Sequence, residues 1–266
     1  MRSRGHLNPG DAEVTWERHD PGLPDLVRHV WVARWDVPAG QSRTQRVLTY
    51  PACNVVVTPE AAVLVGPSTV VTTQELTGRS WVVGVLLWPA AAALLTATRP
   101  GDLVGRAEPL VSAPHSGVSD AMAAHADVLP VLRTWLAPVA ARVDDAGRLV
   151  NEACRLAEER ADVTRVGELA ALLHTSTRSL SRLVSARTGL TPKWLIDCRR
   201  LQHAALRLFT EPGTDLATLA AELGYADQAH LTRAYRAVLG ETPAATRRAG
   251  RAATDRPRPP SSAPSP

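Results

Sequence analysis

The stretch "LGYADQAHLTRAYRAVLGETPAATRR", residues 223–248, decides how the C-terminal half of this 266-residue chain is read. Gly224 can end a helix, because a left-handed backbone costs a residue without Cβ little. Asp227 then suits the cap of a second helix, along which Leu231, Tyr235, Val238 and Leu239 share one face. Gln228, Ala229, Thr232, Arg233 and Arg236 are left outward. Taken alone, this is an amphipathic helix with a solvated basic face.

An earlier stretch repeats the layout. In "VGELAALLHTSTRSLSRLVSARTGLTP", residues 166–192, Leu169, Leu172 and Leu173 can pack a leading helix, and Ala170 is small enough for a second helix to cross closely. Thr175 or Ser176 can cap that second helix, where Leu180, Leu183 and Val184 oppose Arg178, Ser181, Arg182 and Ser185. Both copies end in a Gly, two residues and a Pro, and each is a helix-turn-helix candidate. The outward sets suit DNA: Arg forks onto guanine, Gln bonds adenine, and Thr or Ala meets a thymine methyl. Two such faces in matched settings favour double-stranded DNA over mere solvation.

Between the copies, "PKWLIDCRRLQHAALRLF" starts with Pro192 in a first-turn position and meets no breaker before Pro212. A helix from Lys193 to Phe209 would be roughly 25 Å long. With the bodies it joins, it could hold two recognition helices about 34 Å apart, one turn of B-DNA.

Charge is distributed accordingly. Residues 1–147 carry 12 Arg against 14 acids, whereas residues 148–251 carry 15 Arg and one Lys against 11 acids. The basic half is the one with the repeat, as an anionic partner requires. Cys53, Cys154 and Cys198 form no CxxC pair, which points to buried thiols in a reducing cytoplasm. The polar N-terminus and the lack of a long apolar run predict a cytoplasmic protein with no membrane partner.

The N-terminal half reads differently. "HVWVARWDV", "RVLTYPACNVVVT", "AAVLVGPSTVVTT" and "SWVVGVLLW" are β-branched or aromatic runs broken by Pro and Gly. They predict a β-rich (α+β) module over 13–115, after a flexible N-terminus at 1–12. Residues 116–147 read as a helical connector interrupted by Pro130 and Pro138, with a hinge at Asp144 to Gly147. An all-α domain with two helix-turn-helix motifs and a long linker helix occupies 148–250, and the Pro- and Ser-rich 251–266 is a disordered tail.

Residues 148–248 resemble the AraC/XylS family of bacterial transcription regulators. The likeness is carried in order by "LAALLHTSTRSLSRLVSARTGLTP", "RRLQHAALRL" and "LAAELGYADQAHLTRAYRAVLGETPAATRR". Where such regulators typically show "GF", a Phe, a Phe followed by Lys, and "P..YR", this chain has Gly224-Tyr225, Leu231, Tyr235-Arg236 and Pro243 with Thr246-Arg247. Thr246 lacks the aromatic ring. The resemblance implies base contacts at Arg178, Ser181, Arg182, Gln228, Ala229, His230, Thr232 and Arg233. It implies backbone contacts at Thr175, Ser176, Lys193 and Arg236. His230 has a second reading as a backbone-positioning residue. "HVWVARW", "RVLTYPACNVVV", "LVGP" and "VGVLLWPAAAALL" resemble the β-rich module on some AraC-type regulators, which senses a ligand or dimerises.

Catalysis finds little support. His19, His29, His115 and His125 are scattered without HxH or HExxH spacing, and no GxSxG or phosphate-cradling loop occurs. Neither a catalytic site, a metal nor a cofactor is expected. Trp31, Trp35, Trp81 and Trp88 fit either an apolar ligand pocket or a Trp-rich core. Beside DNA, a small-molecule effector, a second copy and RNA polymerase stay open as partners. The rival reading is a β-barrel-type small-molecule-binding protein or enzyme with a helical docking domain.

Overall fold

The computed structural model describes residues 14–254 apart from 48–51, 69, 71 and 161. The flexible N-terminus expected at 1–12 and the tail from 255 lie outside the described residues. The N-terminal part contains β1 (Val14–His19), β2 (Val27–Asp36), β3 (Arg43–Val47), β4 (Asn54–Val57), β5 (Ala62–Val65), β6 (Thr72–Leu76), β7 (Arg79–Leu87) and β8 (Ala107–Pro109). Six strands form an antiparallel sheet in the order β1-β2-β7-β4-β5-β8, and β3 pairs with β6 separately.

Alternation sets the register. Val30 stands opposite Val85, Val85 opposite Val55, and Val55 opposite Leu64, while Val32, Val83 and Val57 form a second row. None of these is more than 2% exposed. At roughly 1.5–3 kcal/mol per buried aliphatic side chain, a one-residue slip that turned both rows outward would be very costly. On the other face of β2, Trp31 crosses β7 at Gly84, where a methyl would stand 1.9 Å from the indole Cε2. Only glycine leaves room for the ring.

A 3-10 turn at Pro89–Ala91 leads into α1 (Ala92–Leu95) and α2 (Pro100–Leu103), and α3 (His115–Ala123) and α4 (Leu129–Ala140) follow β8. The helical segment expected to be a connector closes the sheet's core instead. Val118, Met122, Leu129, Leu132 and Leu136 are buried with the valine rows. Pro130 starts α4 rather than interrupting it, because the first turn needs no intrahelical N–H, and Pro138 is carried near its end. The four tryptophans do not share one pocket. Trp31 lies 5.5 Å from Trp16, Trp35 packs with Val14, Val37 and Leu76, Trp81 packs on the main core, and Trp88 lies under Arg28 at 4.6 Å.

The C-terminal part is all helix: α5 (Asp145–Glu159), α6 (Val166–Leu172), α7 (Thr177–Thr188), α8 (Pro192–Thr210), α9 (Leu216–Glu222), α10 (Gln228–Leu239) and α11 (Pro243–Thr254). α11 runs four residues past the expected start of the tail. The linker helix α8 begins with Pro192 behind Thr191, whose hydroxyl accepts from Trp194 N at 3.1 Å. Its near end gives Leu195 and Ile196 to the core of the first motif, with Leu169, Leu180 and Val184. Its far end gives Leu201, Ala204, Ala205, Leu208 and Phe209 to the core of the second, with Leu219, Leu231 and Tyr235.

The two parts meet along α5. Glu158, 5% exposed, takes both guanidinium arms of Arg28 from β2, one of them at 2.6 Å. Asn151 Nδ2 donates to Asp25 O at 2.7 Å. Asp144, expected in a hinge, accepts from Gly147 N at 2.7 Å and from Arg187 of α7 at 2.6 Å. These bonds, Arg187's first, hold its carboxyl below the usual carboxylate range. The segment is a capped and tethered helix start.

Candidate nucleic-acid interface

The two motifs are built by the same local chemistry. Ser176 caps α7 by accepting from Ser179 N at 3.1 Å, and Asp227 caps α10 by accepting from His230 N at 2.6 Å. Each helix ends on a left-handed glycine, Gly189 at φ +72° and Gly240 at φ +71°. The corners correspond as well: Thr175 N bonds Ala170 O at 3.0 Å, as Tyr225 N bonds Ala220 O at 2.8 Å. The left-handed residue is Gly224 in the second corner and His174, at φ 50°, in the first.

Burying Leu180 and Val184 on α7, and Leu231, Tyr235 and Leu239 on α10, turns the opposite faces to solvent. Arg178 and Arg182 are exposed on α7, as are Gln228, Ala229, His230, Arg233 and Arg236 on α10, and Ser181 and Thr232 are half-buried beside them. Among the described residues, none makes an ion pair or hydrogen bond with the guanidinium of Arg178, Arg182, Arg233 or Arg236. Elsewhere in the domain many arginines are engaged. Arg160 pairs with Asp162 at 2.6 Å, Arg207 with Glu222, and Arg247 donates to Thr214 O. Arg199 Nε donates to Glu158 O at 2.6 Å, and Arg200 Nε to Leu223 O at 2.7 Å with its guanidinium 4.3 Å over Tyr225.

The remaining expected contacts are placed less simply. Lys193 Nζ lies 2.7 Å from Asp197 Oδ2, so a phosphate there would compete with a carboxylate. Ser176 uses its hydroxyl as a cap and Thr175 is half-buried at the corner. The His230 ring meets Tyr225 edge-on at 5.1 Å, with Nδ1 3.5 Å from Ala226 N, so its imidazole turns back toward the start of α10. Ser185, expected on the outward face, donates to Leu190 O at 3.0 Å.

Thr246 has a clear setting. It is fully buried and accepts from Tyr235 Oη at 2.6 Å while donating to Glu241 Oε1 at 2.5 Å. The tyrosine hydroxyl comes from α10 instead of α11, and the small threonine leaves space for it. The missing ring thus does not prevent α11 from docking: a methyl on Gly250 would stand 2.2 Å from Phe209 O of α8.

In the N-terminal part, a cleft of about 560 Å³ lies between the β1–β2 hairpin and the turn after α3, lined by Glu17, His19, Val32, Arg34, His125 and Asp127. Arg34 Nη1 is 3.0 Å from Glu17 Oε1, and His19 Nε2 is 3.3 Å from Glu17 Oε2. His29 stays neutral near pH 7, pushed down to about 4 by burial and by Arg18 and Arg28. The three free cysteines are buried; burial pushes Cys53 up to about 12 and raises the other two as well. Among the described residues, no group of three or more His, Cys, Asp or Glu could hold a metal, and no helix is long and apolar enough to cross a membrane.

Comparison with known proteins matches residues 169–249 to a helix-turn-helix domain family and residues 19–109 to a domain of unknown function (DUF6597). No curated protein matches the chain. Among solved structures it is similar to the C-terminal domain of AraT, a response regulator from Geobacillus stearothermophilus, with 23% identity, 40% of this chain and 87% of that one covered, and a TM-score of 0.35. It is also similar to ToxT from Vibrio cholerae O395, with 9% identity, 88% and 97% covered, and a TM-score of 0.38. The matched family takes in the linker helix and nearly all of both motifs, so residues 169–249 form a helix-turn-helix domain of the AraC type.

Proposed function

We propose that α7 and α10 read base edges in two successive major grooves of double-stranded DNA, with Arg178, Ser181 and Arg182 in one and Gln228, Ala229, Thr232 and Arg233 in the other. The observation that carries this is the pairing of exposed, unengaged arginines on equivalent helices of a repeated motif. Arg236, with the backbone N–H groups at the helix starts, would hold phosphate, and Lys193 would do so once released from Asp197. His230 fits a role in positioning the start of α10 better than a base contact. Affinity should fall with salt as counterions are released.

Arg178→Ala or Arg233→Ala should cost about 1–3 kcal/mol at a single base position. Titration against single-base variants of a duplex selected from random DNA checks this, and a uniform loss across all variants would remove base readout. Duplex binding that is absent or independent of salt would favour the rival docking-domain reading.

The N-terminal module is the place for an effector. The cleft of about 560 Å³ supports this, being in the size range of small-molecule sites and carrying both charge signs. Arg34 and Glu17 pair with each other there, so a ligand with one anionic and one cationic group would enter by exchanging that ion pair for two of its own. A concentration-dependent rise in the melting temperature of the full chain with amino-acid-like metabolites would support such a site, and its absence across the panel would count against it.

A further inference from the structure

We propose that the N-terminal module is itself a positioning element of the DNA-reading surface: Gly101 and Val70 bear on the equivalent ends of the two recognition helices and set how far apart they stand. A methyl on Gly189, at the end of α7, would lie 2.5 Å from the Cα of Gly101 and 2.8 Å from the carbonyl carbon of Pro100. The backbone of α2 is therefore seated on that cap. A methyl on Gly240, at the end of α10, would lie 2.8 Å from Val70 Cγ1 and 3.0 Å from its Cβ. The repeat makes these two positions equivalent, yet nothing in helix-turn-helix packing asks a third body to touch both.

The two contacts differ in support. The first motif is fixed broadly to the module, through Arg28 and Glu158, through Asn151 and Asp25 O, and by Val104 packed on its core. Val70 is 46% exposed and stands outside the main core of the module, so burial within its own part does not explain its place against Gly240. A single helix between two motifs can bend and twist, and groove spacing tolerates little of either. A body that rests on both ends limits that freedom, which makes Val70 a residue that acts through α10 without touching DNA.

The inference rests on the reading of α7 and α10 as two base readers, and its test keeps the two apart. Full-length protein is used to select duplexes from random DNA, and the selected site is remade with the distance between its two blocks changed by one and by two base pairs. Wild-type protein should prefer the selected spacing by about tenfold. Val70→Gly should reduce that preference to about threefold or less, while Val70→Ile retains it. Val70→Gly should also keep the wild-type melting temperature, as a surface change in a folded protein does. An unchanged spacing preference in Val70→Gly would overturn the positioning role while leaving both readers in place. A selected site with one block would instead remove the two-reader premise.

Discussion

Tyr225 and Tyr235 both stand where the resemblance would place phenylalanine, and their hydroxyls meet different surroundings. Tyr235 Oη donates to Thr246, which passes the bond on to Glu241, so three buried or half-buried polar groups are satisfied in series. Tyr225 Oη is buried with no hydrogen-bond partner among the described residues, and burial pushes its pKa up to about 12. The same substitution should therefore act with opposite sign. Tyr235→Phe leaves Thr246 without a donor and should lower stability by about 1 kcal/mol. Tyr225→Phe removes an orphan hydroxyl while keeping the ring under Arg200, and should raise stability by up to about 1 kcal/mol. Urea unfolding of the two variants decides it: shifts of the same sign would contradict this account.

The two corners offer a similar comparison between elements. Gly224 adopts its left-handed conformation freely, whereas His174 is held there at φ 50° with its side chain exposed. His174→Gly should thus stabilise the first motif by about 1 kcal/mol, the cost of a left-handed residue with a Cβ less the extra entropy of glycine. Thermal unfolding measures the gain, and a loss would mean that the imidazole makes a contact of its own worth more than the strain. Much at this level is legible in the residue string. Ser176 and Asp227 announce caps, and the leucine spacing on α7 and α10 fixes which face is outward, because both are local rules. The sheet is less legible. β1 carries Glu17, Arg18 and His19, so its alternation is hidden by charge, and the helices at 116–147 do not reveal that they close a core. The engagement of Arg199, Arg200 and Arg247 depends on backbone carbonyls brought near by tertiary packing, which no spacing within one helix encodes.

For the whole molecule, the buried pair between Arg28 and Glu158 is a polar tie across the two parts. Glu158→Gln would remove the carboxylate charge that faces a largely buried guanidinium, and should weaken the docking by about 3 kcal/mol or more. Replacing both partners, Arg28→Met with Glu158→Leu, should cost far less, since no charge is stranded. Differential scanning calorimetry would show the first variant melting in two separated transitions and the second close to one. Two variants that behave alike would place the coupling elsewhere, for example in the packing of Val104.

The division of α8 governs how the C-terminal domain folds. This helix has no core of its own: one end completes the first motif and the other completes the second. Neither motif can open fully without exposing one end of a helix that the other still needs, so amide exchange along α8 should follow the rarest opening of the domain, not the local fraying of either half. The pair of motifs is then a single cooperative folding unit whose internal symmetry is structural and not thermodynamic.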